Sequence, residues 1–265
     1  MSDDVKLEGG HTTMQIPEGS MFLYEKPQIL TKEDHGSLGI KAPERPFDFA
    51  RTIQTIPLVA TEIASAQKNY PVIFSNPEDP QVFAVVSVIK DRNMFVDDNG
   101  NWAAFHYVPA YLRRHPFAFA KGDSDQLALV IDRGAQSVSD EPTFPFFDGD
   151  KISEDTQKMV DFCSQVEGER QRTREFTAKL VELDLLDVQE VTPGKPGDNE
   201  ERVKLASYYA VNTKKLDELA PEAMHDLYKS GYLSFIFAHL YSMENWGKLI
   251  ERKRRMEAAS QSPEQ

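Results

Sequence analysis

Covalent cross-links are absent from this chain of 265 residues, because its one cysteine, Cys163, has no partner thiol. The fold must therefore rest on its core. Long apolar runs are missing as well. The most hydrophobic stretch, near the C-terminus, is interrupted by His239, Glu244 and Asn245 before it reaches the ~20 apolar residues a membrane-spanning helix needs. No integral membrane insertion is expected. Positive charge is scarce: 30 Lys and Arg against 43 Asp and Glu give a formal net charge of -13, which argues against nucleic acid as a partner, since neutralising phosphates needs a basic surface. The first twenty residues, MSDDVKLEGGHTTMQIPEGS, lack the basic start and apolar stretch of a secretory signal. The expected compartment is the cytoplasm, with surface association by unconventional export as the alternative.

Motifs that announce common chemistries are missing too. There is no Gly-x-Gly-x-x-Gly, no phosphate-binding Walker loop, no Gly-x-Ser-x-Gly elbow, no His-Glu-x-x-His and no paired cysteine motif. Six histidines stand scattered at 11, 35, 106, 115, 225 and 239, without the spacing of a facial metal triad. No cofactor and no metal are expected. A noncontiguous site is left open.

The composition is 40% hydrophobic with aromatics throughout, which suits a globular domain rather than a disordered chain. The expected organisation is a flexible N-terminal segment 1–20, a single α+β domain 21–255 and a flexible C-terminal tail 256–265. Strand-like segments occupy the first half: MFLYEKPQIL, VIFS, QVFAVVSVIK, and the pair within FAFAKGDSDQLALVID, which ends at Asp132. Strands of residues 72–132 are expected to form the main sheet. Ile53, Ile56, Val59 and Ile63 recur three or four apart, which predicts a helix starting near Pro57. A long helix is predicted from the N-cap Ser153, followed by Glu154 and Asp155 at the positive end of its dipole.

In that helix Cys163 reads as a small buried apolar residue, and the polar middle EGERQRTRE reads as a solvated face, with Arg172 and Thr173, one turn before Phe176, facing a pocket as the alternative. Strands LLDVQEV and ERVKLASYYAVN follow around the linker TPGKPGDNE, and two C-terminal helices close the chain. The last carries an apolar stripe of Leu233, Ile236, Leu240, Met243 and Leu249 or Ile250, with His239 beside it as a hydrogen-bonded packing residue. The basic run Arg252 to Arg255 suits the end of a helix. The fold class expected is α+β, with a predominantly antiparallel or mixed sheet in the first half packed by the long helix and the C-terminal helices.

The stretch from Phe95 to Phe117, FVDDNGNWAAFHYVPAYLRRHPF, concentrates the polar chemistry. Asn99-Gly100 favours the positive φ values of a type I′ hairpin turn. A calcium loop is disfavoured, since the twelfth residue from Asp97 is Val108 rather than a bidentate Glu. Pro109 and Pro116 bracket a helix of barely two turns with Arg113 and Arg114 at its C-terminal end. Those arginines either complement the helix dipole and pair with acids of this chain, or form a fork for a carboxylate or phosphate. His106, Arg113, Arg114, His115 and Asp132 are the candidate site residues, supplying acid–base and anion-binding groups near predicted strand ends.

Read in order, FLYEKPQILTKEDHGSLGIK, IPLVATEIASAQKNYPVIFS, NMFVDDNGNW, YVPAYLRRHPFAFA, ALVIDRGA and YKSGYLSFIFAHLYSMENW resemble the SapC family of bacterial proteins. The resemblance runs from about residue 21 to 250. It implies an association with surface-layer or surface-protein production and export, and it brings no catalytic residues to carry over. Two classes follow: a binding or accessory protein holding a peptide or protein partner, and an enzyme, metal-dependent or otherwise, that modifies a peptide or small molecule at a noncontiguous site. The acidic surface favours partners carrying basic residues.

Overall fold

A computed structural model describes residues 21–121, 127–192 and 205–261. The head up to residue 20, most of the KGDSD turn, the TPGKPGDNE linker after Thr192, the ERVK start of the strand expected after it and the last four residues of the expected tail lie outside the described residues. In chain order the elements are β1 Pro27–Ile29, α1 Lys32–His35, β2 Gly39–Ile40, β3 Thr55–Leu58, α2 Ile63–Ala66, β4 Val72–Phe74, β5 Val82–Val85 and α3 Ala110–Arg113. Next come β6 Phe117–Lys121, β7 Leu127–Asp132, β8 Val138–Ser139, β9 Phe144–Pro145, β10 Phe147–Asp148 and β11 Lys151–Ile152. The chain continues through α4 Glu154–Glu182, β12 Leu186–Val191, β13 Ala206–Val211, α5 Thr213–Asp217, α6 Pro221–Lys229, α7 Tyr232–Ser242 and α8 Asn245–Gln261. The fold is mixed α+β, with antiparallel sheets, a long helix and C-terminal helices, as the sequence predicts.

These elements form two compact units. The first holds the described residues up to Lys41 together with those of Pro116–Gln157. Its main sheet has the order β1-β7-β6, beside a β8-β2-β9 sheet and a β10-β11 hairpin. Phe117 and Phe146, both fully buried, meet edge to face at 5.5 Å. Tyr24 Oη donates to the Phe117 carbonyl at 2.7 Å. Ser153 Oγ accepts from the Thr156 amide at 3.2 Å, the N-cap bond its position predicts for α4.

The second unit comprises Ala42–His115 and the described residues from Lys158 onward. Its five-stranded sheet runs β12-β13-β4-β5-β3. On it pack the apolar residues of α4 and α7: Phe176 lies 6.3 Å from Phe74 and meets Phe235 edge to face at 5.4 Å. Strands of residues 72–132 are thus divided between sheets, β4 and β5 in one and β6 and β7 in another. Local alternation identifies strands but does not say which of them pair.

The segment around Pro57 is a correction. Thr55–Leu58 is strand β3, followed by a 3-10 turn Ala60–Glu62 and only four helical residues. Ile56 and Leu58 are buried while Thr55 and Pro57 are only partly so, a two-residue alternation hidden inside the apparent helical spacing. Pro57 is tolerated because β3 is an edge strand of this sheet. The single apolar stripe expected at the C-terminus is also two helices, α7 and α8, with α5 and α6 before them. The break has a cause in Asn245, whose amide donates to the Gln67 and Tyr70 carbonyls at 2.7 and 3.0 Å.

His239 is fully buried, and its part in the sheet explains why a histidine belongs there. Tyr209 pairs with Phe74, so two residues on Val211 comes opposite Val72. At that rung the strands are bridged by the imidazole: the Val211 amide donates to Nε2 at 3.1 Å, and Nδ1 lies 2.8 Å from the Val72 carbonyl. An amide can only donate, so Nε2 is unprotonated and Nδ1 carries the hydrogen. Ser242 Oγ accepts from the Val72 amide at 2.9 Å, which satisfies both backbone groups of that residue from α7. Burial holds the imidazole pKa down to about 4.

Candidate functional site

Asp97 organises the turn that opens the polar stretch. Its carboxylate accepts the amides of Asn99 and Asn101 at 2.9 and 2.8 Å, and its carbonyl accepts from Gly100 at 3.0 Å. Gly100 has φ +75° whereas Asn99 keeps a negative φ. A reversal with the Val96–Trp102 bridge is present where Asn99-Gly100 places it, but the turn is not type I′. Its central residues are Asp98 and Asn99, with Gly100 following in the left-handed region, the three-residue hairpin form. The aspartate side chain mimics a backbone turn one residue earlier than the Asn-Gly signal suggests. Arg45 and Arg51 hold the tip through the Asp98 and Asp97 carbonyls at 3.1 and 2.9 Å.

Beyond the turn the chain is clamped at successive points. Trp102 Nε1 donates to Tyr70 Oη at 3.2 Å, and that phenol donates to the Tyr107 carbonyl. The Ala103 amide bonds to the Phe95 carbonyl at 2.8 Å, and the Tyr107 amide to Asn69 Oδ1 at 2.9 Å. His106 places Nδ1 2.8 Å from the Ala104 carbonyl and its ring edge-on to Phe95 at 5.1 Å. Arg252 lies over the Phe95 ring at 4.4 Å while its Nε donates to the Met94 carbonyl. Between these clamps stands Phe105, completely exposed at 104% relative accessibility and with φ +61°.

Glu62 anchors the other side of Tyr107. Only 7% exposed, its carboxylate accepts from the Val59 amide at 3.0 Å, the Ala110 amide at 2.6 Å and the Tyr107 hydroxyl at 2.7 Å. Burial, and then the Glu62 charge, raise the Tyr107 pKa, so this phenol is held protonated rather than poised for acid–base work. Arg113 Nη2 donates to the same hydroxyl at 3.4 Å, and its guanidinium lies 5.0 Å from the Phe162 ring centroid.

The five residues picked out by sequence occupy different surroundings. Arg113 is exposed, whereas Arg114 is buried against Tyr111 at 4.4 Å, so adjacent arginines do not form a joint fork. Near Arg114, Cys163 is a free buried thiol that burial pushes up to about 11, which suits an inert core residue. His115 stacks on Phe49 at 3.9 Å. Asp132 belongs to the first unit, where its carboxylate accepts from the Glu25, Lys26 and Gly134 amides at 3.0, 2.8 and 3.0 Å. Thr173 is spent on structure, accepting the Ala60 amide and donating to the Glu169 carbonyl. Glu62 and Phe105 carry no local sequence signal: an acid inside VATEIA and a phenylalanine after two alanines reveal their placement only in three dimensions.

The SapC family model matches residues 30–249. The chain belongs to the SapC family. No curated protein and no solved structure matches it. Much of the stretch FAHLYSMENW is scaffold, with His239, Ser242 and Asn245 each bonded to the backbone of residues 67–72. Among the described residues no helix is long and apolar enough to cross a membrane, and no group of three His, Cys, Asp or Glu side chains is arranged to hold a metal ion.

Proposed function

We propose that this SapC-family chain is a binding protein that holds a peptide or protein partner in surface-layer or surface-protein production or export, working in the cytoplasm. The observation that carries the reading is Phe105. A full phenylalanine ring in water forgoes the ~1.5–3 kcal/mol that burial of such a side chain supplies, and the left-handed backbone costs roughly another 1–2 kcal/mol. Both costs fall on one residue of a segment fixed on either side by hydrogen bonds. A ring projecting from a backbone held on both sides is suited to fill an apolar pocket of a partner, with little backbone entropy lost on binding. The net charge of -13 favours a basic rim around that pocket and disfavours a second copy of the chain.

A photo-crosslinking phenylalanine analogue at position 105, compared with the same analogue at the exposed Tyr228, tests this in the native cell. The reading expects one dominant protein adduct specific to position 105. Absence of an adduct, or the same spread of adducts from both positions, contradicts it.

A further inference from the structure

Arg113 stands outside the ion pairs that several other arginines of this chain form. Arg45 and Arg51 bind Asp48 at 3.0 and 2.6 Å, Arg170 binds Glu167 at 2.8 Å, and Arg255 binds Glu251 at 2.9 Å. In a chain with 43 acidic residues, no carboxylate among the described residues forms an ion pair with Arg113. Its position is nonetheless defined. The guanidinium rests over the Phe162 ring at 5.0 Å and beside the Tyr107 ring at 5.8 Å, and Nη2 donates to Tyr107 Oη at 3.4 Å. The phenol's own hydrogen is committed to Glu62, and the Glu62 carboxylate is fixed by two backbone amides. A buried carboxylate thus sets a tyrosine, and the tyrosine sets an exposed arginine.

We infer that Arg113 is the receiving group of an oxyanion site, taking a carboxylate or phosphate monoester presented by a peptide. A guanidinium has five N–H donors in a planar fork; one is used on Tyr107, and the others remain for a bidentate ligand. Stacking on Phe162 leaves the edge of the fork free while restricting its rotation, which reduces the entropy lost on binding. Arg114, turned inward onto Tyr111, contributes no second fork here. The inference rests on the partner-binding reading, and it adds an acidic or phosphorylated group to what the partner brings. This runs against the overall charge of the chain, so the site discriminates among peptides rather than merely attracting them.

The test follows the Arg113 Nε–H resonance of the full chain, and in every variant the backbone amides of residues 107 and 113, during titration with inorganic phosphate, N-acetyl-O-phosphoserine amide, acetate and N-acetyl-aspartate, with the exposed Arg254 as the internal reference. A saturable shift of the Arg113 Nε–H and of the two backbone amides is expected, with the amide shifts lost in Arg113→Gln and the affinity they report weakened at least tenfold in Arg113→Lys, because lysine keeps the charge and loses the fork. Tyr107→Phe, which frees the guanidinium, should weaken binding without abolishing it. The two acid series distinguish a carboxylate source from a phosphate source. A non-saturable shift equal to that of Arg254, or equal affinity in Arg113→Lys, overturns the inference. These small anions offer no apolar pocket for Phe105 to fill, so failure here and failure of the Phe105 reading are separable.

Discussion

Val211 and Val72 face each other across neighbouring strands of one sheet and are joined through the His239 imidazole rather than directly. The arrangement makes α7 part of the ladder between β13 and β4. Removing the imidazole leaves a buried donor and a buried acceptor without partners, each costing ~1–3 kcal/mol. His239→Leu should therefore destabilise the chain by about 3 kcal/mol in equilibrium urea unfolding.

The same residue gives a pH dependence of defined sign. Its folded pKa is lowered from 6.5 to about 4, so the unfolded chain binds the proton more readily. Stability is unaffected by this group above about pH 6.5, falls as pH drops toward 4 and levels off below, for a total of about 3 kcal/mol. Burial lowers the His35 pKa in the other unit as well, adding in the same direction. Urea midpoints between pH 7.5 and 4.5 should decline less steeply in His239→Leu than in the parent chain.

Glu62→Ala should cost about 3 kcal/mol, since it strips the acceptor from the Val59 and Ala110 amides and the Tyr107 hydroxyl. Glu62→Gln, which keeps one acceptor oxygen, should cost less. Equal stability of the alanine variant and the parent chain in thermal unfolding would show that these bonds are replaced by water.

The turn at residues 97–101 separates two substitutions. Gly100→Ala meets Arg45 Cβ at 2.6 Å and adopts φ +75°, so a loss of about 2 kcal/mol is expected. Asn99→Ala should change stability by less than about 0.5 kcal/mol, because Asn99 has no positive φ to support. A large loss at Asn99 would instead favour the type I′ geometry that the Asn-Gly pair suggests.

The long helix and the β6–β7 pair were legible because each is signalled locally, by an N-cap at Ser153 and by apolar strands flanking a polar turn. The strand at Thr55–Leu58 was not, because isoleucines at helical spacing coincide with a short alternation and the deciding fact is pairing with β5. The site shows the same division. Arg113 and Arg114 stand out as a pair in sequence, yet a helix sends adjacent side chains about 100° apart, and burial takes only the second. Asp132 is spent on a loop of its own unit. Phe105 was invisible because exposure of a phenylalanine is decided by the absence of anything packed over it, which no neighbouring residue encodes.

Partner binding through Phe105 is tested most directly by measuring stability and association together in Phe105→Gly, with the crosslinked partner purified. Glycine relieves the left-handed backbone and removes no buried surface. The account predicts a thermal midpoint equal to or above that of the parent chain, together with at least a tenfold loss of affinity. Unchanged affinity in a stable Phe105→Gly chain would contradict the account, as would a marked fall in thermal midpoint, which would make Phe105 a structural residue.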